Sequence, residues 1–183
     1  NQTRTTVVTA KRGTIYDRNM NVLSMSATVE NVFIDPNGIE AHEQDVGLIA
    51  RGLSEILGVE EEFVRQQAAD TAMYYKVIAK KVSVEVGDQV REFINKNEIK
   101  GVYLEPDSQR YYPYGTLSSQ VIGFVNSDST GAEGLEAYYN SLLEGTAGKI
   151  IRTKGGGNSE MLFSYEKFYD ATDGNSLVLT VDS

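Results

Sequence analysis

Apolar positions follow two different spacings along the chain. In the first 35 residues, β-branched and apolar residues occur in short runs of the kind that form extended structure. These runs cover residues 5–10, 14–16, 22–25 and 32–34. Residues 17–21, four of them polar, predict a turn, and the sequence Asp35, Pro36, Asn37, Gly38 predicts a break. The opening of the chain is therefore expected to form strands and hairpins.

The middle of the chain has the helical spacing i, i+3, i+4, i+7 instead. From Val46 to Leu57 this spacing puts one apolar stripe on a helix, which Gly58 is expected to end. A second helix is predicted from Glu60 to about Ala69, with Phe63 and Val64 facing inward and an acidic first turn that suits the helix dipole. Further predicted elements are a strand at 74–82, a helix ending near residue 97 and a strand at 101–104.

The last part of the chain returns to strand-forming residues. A helical start is predicted within 117–124, a polar loop at 126–130 and a helix from Leu135 to Leu143. Strands are then predicted at 150–153, 161–163 and 177–181, with a glycine turn at 155–157. Because strands bracket a helical middle, the fold class is α+β.

Strands at both ends of the chain can share a sheet. We therefore expect a β-rich stalk formed by residues 1–35 and 146–183, with residues 36–145 inserted as a helix-containing lobe. A chain of 183 residues is long enough to bury a core of its own, and the stalk and lobe are expected to form one module.

Charge and cysteine content exclude several classes of protein. The formal charge is −9, and the densest basic stretches are the pairs Lys11–Arg12 and Lys80–Lys81, so no nucleic-acid partner is expected. The acidic balance also disfavours anionic polymers, unless a local basic patch reverses it. With no cysteine there is no disulfide framework and no thiol nucleophile.

Most patterns that suggest site chemistry are incomplete. His42 is the sole histidine, and no G-x-S-x-G turn accompanies it. Two calcium-loop spacings, starting at Asp17 and at Asn126, lack the glutamate of position twelve. The glycines at 145 and 148 lack the rest of a phosphate loop. No metal, cofactor or catalytic site is expected.

One match leaves an enzyme reading open. Ser164 and Lys167 have the S-x-x-K spacing, which puts a lysine amine one helical turn from a serine nucleophile. Neither S-x-N nor K-[ST]-G occurs elsewhere in the chain. A small serine hydrolase is an alternative hypothesis on this basis, and a free-standing extracellular binding module is another.

Five segments together resemble the non-catalytic module of class B penicillin-binding proteins. Residues 12–24 resemble the opening R-G-x-I-x-D-R-N-G-x-x-L-A segment, with Met20 where the family usually has glycine. The other matches occur in the family's order: R-x-Y-P at 110–113, H-x-x-G-y-v at 120–125 with Gln120 in place of histidine, G-L-E-x-x-Y-(N/D)-x-x-L-x-G-x-x-G at 134–148, and G-x-x-L-x-L-T-I-D at 174–182.

The resemblance implies a pedestal, or dimerisation, domain that positions a catalytic domain and performs no bond chemistry. It implies a parent that is a serine-type peptidoglycan D,D-transpeptidase at the outer face of the bacterial cytoplasmic membrane, held by one N-terminal helix. The implied partners are the C-terminal transpeptidase domain of the same protein and either a second copy or a membrane glycosyltransferase.

The motif residues are expected to hold the fold or to form an interface. They are Arg12, Gly13, Asp17, Arg18, Asn19, Arg110, Gly134, Leu135 and Glu136. Asp17 can accept backbone N–H bonds at its turn, and an arginine offers a planar fork for a carboxylate. We expect Glu136 to pair with Arg12 or Arg18 and so to tie the helical block to the stalk.

Overall fold

The computed structural model describes residues 2–115, 121–154 and 165–181. Its helices in these ranges are α1 (Pro36–Ala41), α2 (Val46–Leu57), α3 (Glu61–Ala68), α4 (Val84–Lys96), α5 (Gly134–Tyr138) and α6 (Asn140–Leu143). Its strands are β1 (Gln2–Val8), β2 (Ile15–Tyr16), β3 (Val22–Ile34), β4 (Lys76–Val82), β5 (Val102–Tyr111), β6 (Gly148–Lys154), β7 (Tyr165–Tyr169) and β8 (Leu177–Val178). The mixture confirms the predicted α+β class.

The chain divides into two compact units. The first unit combines residues 1–27 with 108–183, and the second is the continuous stretch 28–107. These bounds differ from the predicted stalk and lobe, whose lobe was 36–145. Residues 108–145 belong with the chain ends because Glu136 and Leu143, both fully buried, pack with Arg12 and Ile15 of the opening segment.

In the first unit, strands from the two ends of the chain pair with each other, as the sequence predicted. β6 lies between β1 and β7 in a three-stranded antiparallel sheet. β2 pairs parallel with β8 and antiparallel with the start of β3. A small apolar cluster of Ile15, Leu23, Ile122 and Leu143 is buried in this unit.

The second unit has a larger apolar core under its helices. The end of β3 pairs antiparallel with β4, and Val32 and Ile34 of β3 are fully buried. The apolar stripe of α2 packs onto these residues through Ile49 and Leu53. Asp45 caps the helix at its start, and Gly58 ends it with a left-handed φ of 69°, as predicted. The core is therefore built mainly from local helical periodicity.

Several predicted elements are wrong in detail. The break at Asp35–Gly38 is the start of α1, because Asp35 accepts the Gly38 N–H at 2.9 Å and Pro36 suits the first turn.

Phe63 is exposed, whereas its neighbour Val64 is buried. β3 is one continuous strand where two were predicted, and the helix predicted from Leu135 to Leu143 is two short helices. The strand predicted at 177–181 is regular only over β8, although backbone hydrogen bonds continue from Leu179 to Tyr16 and from Arg18 to Val181.

Some predictions concern residues outside the described part of the chain. They are the start of the helix at 117–120, the glycine turn at 155–157, the strand at 161–163, and Ser164. Within the described ranges, no helix combines the length and the apolar character required to cross a bilayer.

Candidate functional site

The centre of the first unit is the carboxylate of Glu136, which is fully buried on helix α5. Its Oε2 accepts a hydrogen bond from Nε of Arg12 at 2.7 Å. Its Oε1 accepts from Nε of Arg110 at 2.8 Å and from the Ser24 hydroxyl at 2.7 Å. One carboxylate thus joins the loop before β2, strand β3 and strand β5. We call Arg12, Arg110 and Glu136 the ion cluster.

Arg12 extends the ion cluster to α6. Its Nη2 donates to the main-chain carbonyl oxygen of Glu136 at 2.8 Å, and its Nη1 donates to Oδ1 of Asn140 at 2.7 Å and to the Ser129 carbonyl at 3.3 Å. Asn140 Oδ1 also accepts the Gly131 N–H at 2.8 Å. The planar guanidinium therefore fixes the 129–131 loop and both short helices around one side chain.

Arg110 is the second guanidinium, and its side chain is 2% exposed. Its Nη1 donates to the Ser26 hydroxyl at 3.1 Å and to the Arg12 carbonyl oxygen at 3.3 Å. Its Nη2 is buried and has no hydrogen-bond partner among the described residues. The ion cluster contains two guanidiniums and one carboxylate, so its formal charge is positive.

The environment keeps Glu136 ionised. Burial opposes the charged form, but the Ser24 hydrogen bond, the charge of Arg110 and the hydrogen bonds of Arg12 and Arg110 outweigh it and hold the pKa of the Glu136 carboxyl below its ordinary value. Burial lowers the pKa of the Arg110 guanidinium, against the attraction of Glu136. Burial and the Glu136 charge together raise the pKa of the Tyr112 hydroxyl. The Glu136 carboxylate is therefore ionised at neutral pH, and both of its oxygens accept hydrogen bonds from within the first unit.

Close backbone contacts explain two of the glycines in the resemblance. Gly13 donates its N–H to the Leu143 carbonyl at 2.8 Å, and a Cβ at Gly13 would overlap the Asn175 carbonyl oxygen. Gly134 has a left-handed φ of 62°, and a Cβ there would lie 2.6 Å from the Gly123 nitrogen. Leu135 between Gly134 and Glu136 is half-buried. These glycines let the segments around the ion cluster approach each other.

The predicted turn after β2 is organised by Asp17, which is fully buried. Its Oδ1 accepts the N–H groups of Asn19 and Asn21, both at 2.8 Å. Arg18 donates from Nη2 to the Thr180 carbonyl at 2.5 Å. The structure thus brings Arg12, Arg110 and Glu136 together and gives Asp17, Arg18 and Asn19 a separate role, the closing of the turn against the segment after β8.

The departure from the family pattern at Met20 is visible in the backbone. Met20 has φ 64°, the left-handed conformation that glycine adopts at low cost. The turn therefore keeps the shape that suits glycine, although methionine occupies it and is 58% exposed.

Sequence reasoning did not select Ser24, Ser26 or Asn140 as site residues. Ser24 is fully buried and Asn140 bridges Arg12 to Gly131. Both lie inside the segments that carry the resemblance, which was the signal available in the sequence. What identifies them is a partner about 110 or more residues away, and hydrogen-bond partners at that separation leave no local pattern.

Comparison with known proteins establishes the family. The model of the "Penicillin-binding Protein dimerisation domain" family matches residues 7–179, so the chain belongs to this family. It is 32% identical over 175 residues to the "Peptidoglycan D,D-transpeptidase FtsI" of Buchnera aphidicola, an alignment that covers 94% of this chain and 30% of that protein. The chain thus spans under a third of this relative's length.

Solved structures of related proteins contain the same fold. Penicillin Binding Protein 2X of Streptococcus thermophilus matches with a TM-score of 0.69 and 27% identity, covering 94% of this chain and 28% of that one. The penicillin-binding protein PBP2 of Helicobacter pylori, solved in complex with MreC, matches with a TM-score of 0.66 and 20% identity, covering 99% of this chain and 37% of that one. The second likeness concerns the fold alone.

Proposed function

We propose that this chain is the non-catalytic positioning module of a class B penicillin-binding protein whose polypeptide also carries a serine-type peptidoglycan D,D-transpeptidase domain. The observation that carries the proposal is the match to the dimerisation-domain family over residues 7–179, within a relative that is more than three times as long and is named for transpeptidase activity. The function of the module is then to set where the enzyme lies.

The ion cluster supports a positioning role. Glu136 and both guanidiniums are buried, and their hydrogen bonds run to other parts of the first unit. Such a group fixes the geometry of four chain segments at once, since each of its bonds has a preferred direction. We infer that it makes the first unit rigid enough to hold an attached domain in a fixed orientation, and that the motif residues act through the fold.

A labelled β-lactam tests the assignment of chemistry. We expect a protein that continues from this chain into the proposed transpeptidase domain to be acylated, and the 183-residue chain to remain unlabelled. Labelling of the short chain that is lost in Lys167→Ala would favour the serine hydrolase instead. Failure of the longer protein to react would contradict a transpeptidase parent.

The proposed partners are other proteins of cell-wall synthesis. The H. pylori PBP2 that shares this fold was solved in a complex with MreC, which supports protein contacts as a role for such modules. The candidates for this chain are a second copy of itself and a membrane glycosyltransferase. The proposed location is the outer face of the cytoplasmic membrane, with the parent held by a single N-terminal helix.

Analytical ultracentrifugation of the chain, alone and with a candidate partner, separates these options. A dimer at micromolar concentration would support self-association. A monomer that also fails to bind a co-purified glycosyltransferase would contradict both partner proposals while leaving the β-lactam result unaffected.

A further inference from the structure

The three-stranded sheet of the first unit differs in charge from the rest of the chain. Strands β1, β6 and β7 carry five of the 17 basic residues and one of the 26 acidic residues. Charge counts along the chain do not show this concentration in full, because three of the basic residues lie in β6 and strand pairing adds one from β1 and one from β7.

One face of this sheet combines basic and apolar side chains. Val7, Lys149 and Tyr169 are directly opposite one another across the three strands, and Lys167 lies two residues from Tyr169 on the same face. Val7 is 63% exposed and Tyr169 is 40% exposed. We call Val7, Lys149, Lys167 and Tyr169 the lysine–tyrosine face.

Two ammonium groups share one aromatic ring on this face. Nζ of Lys149 lies 4.8 Å from the centroid of the Tyr169 ring, and Nζ of Lys167 lies 5.0 Å from it. The hydrogen bond with Lys167 and the charges of both lysines lower the pKa of the Tyr169 hydroxyl. In the described part of the chain, neither lysine forms an ion pair with a carboxylate. Among the described residues, no ion pair therefore neutralises the positive charge of this face.

We propose that the lysine–tyrosine face binds the surface of a bilayer that contains anionic phospholipid. Anionic headgroups attract the two lysines. A tyrosine ring between polar headgroups and acyl chains is in its favoured environment, and the exposed Val7 loses contact with water. Charge alone would also fit a soluble polyanion, but the exposed Val7 and Tyr169 beside the lysines favour an interface with an apolar layer, as at a membrane.

Binding to vesicles tests the charge requirement. We expect the 183-residue chain to sediment with phosphatidylglycerol vesicles and not with phosphatidylcholine vesicles, with affinity that falls as salt is added. The double variant Lys149→Glu/Lys167→Glu should bind at least about thirtyfold more weakly. The matched control Lys80→Glu/Lys100→Glu changes the net charge equally, at exposed lysines of the second unit. Its affinity for the vesicles should stay within about twofold of that of the unsubstituted chain.

Single tryptophans test which face meets the lipid, because the chain has no tryptophan of its own. Brominated phosphatidylglycerol should quench the indole of Val7→Trp. It should not quench that of Phe168→Trp, because residue 168 is on the opposite face of β7. Phe168 is 62% exposed and Val7 is 63% exposed, so the two positions differ in face and not in exposure. Circular dichroism checks that each variant is folded, and Lys149→Gln/Lys167→Gln, with an intermediate loss expected, replaces the glutamate pair if that pair fails to fold.

Three results would overturn the proposal. The first is absence of binding to phosphatidylglycerol vesicles by the unsubstituted 183-residue chain. The second is an equal loss of affinity in the control pair. The third is binding to soluble inorganic polyphosphate, lost in the Lys149/Lys167 variant, without any lipid quenching of the Val7→Trp indole, which would identify a polyanion site instead.

Discussion

Among the described residues, the second unit buries twelve residues in one apolar cluster, whereas the apolar cluster of the first unit has four. The first unit instead buries two arginines and a glutamate. The second unit has an arginine–glutamate pair as well, but its Arg91 is 44% exposed and lies at the rim. Among the described residues, the second unit is therefore held mainly by non-directional apolar burial, whereas directed, charged hydrogen bonds hold the centre of the first unit.

Directed bonds and apolar burial fail in different ways. A buried ion pair adds little stability over an apolar replacement of the same shape, yet removing one partner leaves an unpaired buried charge. An apolar core loses stability in proportion to the volume removed. Substitutions in the two units should therefore separate these mechanisms, and hydrogen exchange followed by mass spectrometry assigns each effect to its unit.

The largest effect is expected from Glu136→Gln. This change keeps the size of the side chain but leaves two buried guanidiniums without a carboxylate, at a cost of about 3–5 kcal/mol in the free energy of unfolding. Urea denaturation measures the loss, and hydrogen exchange should rise in residues 10–26, 108–115 and 121–145. Glu133→Gln is the matched control at an exposed position nearby and should change stability by less than about 0.5 kcal/mol. Equal effects of the two substitutions would show that the ion cluster is not a special element of the first unit.

Leu53→Ala should cost about 2–5 kcal/mol, because Leu53 is fully buried in the core of the second unit and truncation leaves a cavity. Faster hydrogen exchange is expected within 28–107. The exposed Leu142 provides a control, since Leu142→Ala removes the same atoms at a position that is 46% exposed. Exchange that rises equally throughout the chain would contradict separate sources of stability.

Acid should weaken the ion cluster. The pKa of Glu136 is lowered in the folded state, so the folded chain binds fewer protons there than the unfolded chain does. The contribution of this carboxylate is present above the unfolded pKa of about 4.3 and is lost as pH falls through the lower folded value. In urea denaturation across this acidic range, the free energy of unfolding should fall more steeply with pH for the unsubstituted chain than for Glu136→Gln. Parallel curves would argue against this pKa shift.

The smallest effect has the opposite sign. Met20→Gly should stabilise the chain by roughly 0.5–1 kcal/mol, because relief of the left-handed φ exceeds the added entropy of the unfolded state. In contrast, Met25→Gly, in the extended backbone of β3, should destabilise it. The melting temperatures of the two variants would then move in opposite directions, and a fall in both would mean that the turn does not favour glycine.

Local and non-local features of the molecule were predictable to different degrees. The stripe of α2, its end at Gly58 and the strands at both chain ends follow from spacings within a few residues, and the structure contains them. An arginine partner for Glu136 was expected because a guanidinium fork suits a carboxylate, and of the two candidates, Arg12 and Arg18, the structure shows Arg12. Arg110 as the second partner, and the acceptors Ser26 and Asn140, depend on contacts between distant segments that no spacing records.

The basic sheet shows the same limit for surface properties. Lys149 and Lys167 are 18 residues apart in sequence and meet over Tyr169 only because β6 and β7 pair. Counting charges along the chain suggested an acidic surface with no strong basic cluster. Fold topology, not composition, decides where the minority charge is concentrated.

The parallel pairing of β2 with β8 also has a consequence for biosynthesis. Ile15 can pair with Leu177 only after residue 177 has been synthesised. The second unit is continuous in sequence and is complete once residue 107 has been added. At ordinary translation speeds of about 5–20 residues per second, the delay between the two strands is on the order of ten to thirty seconds. During that interval the nascent N-terminal strands have unpaired edges, so the inserted unit is positioned to fold first while the first unit closes only when its last strand arrives.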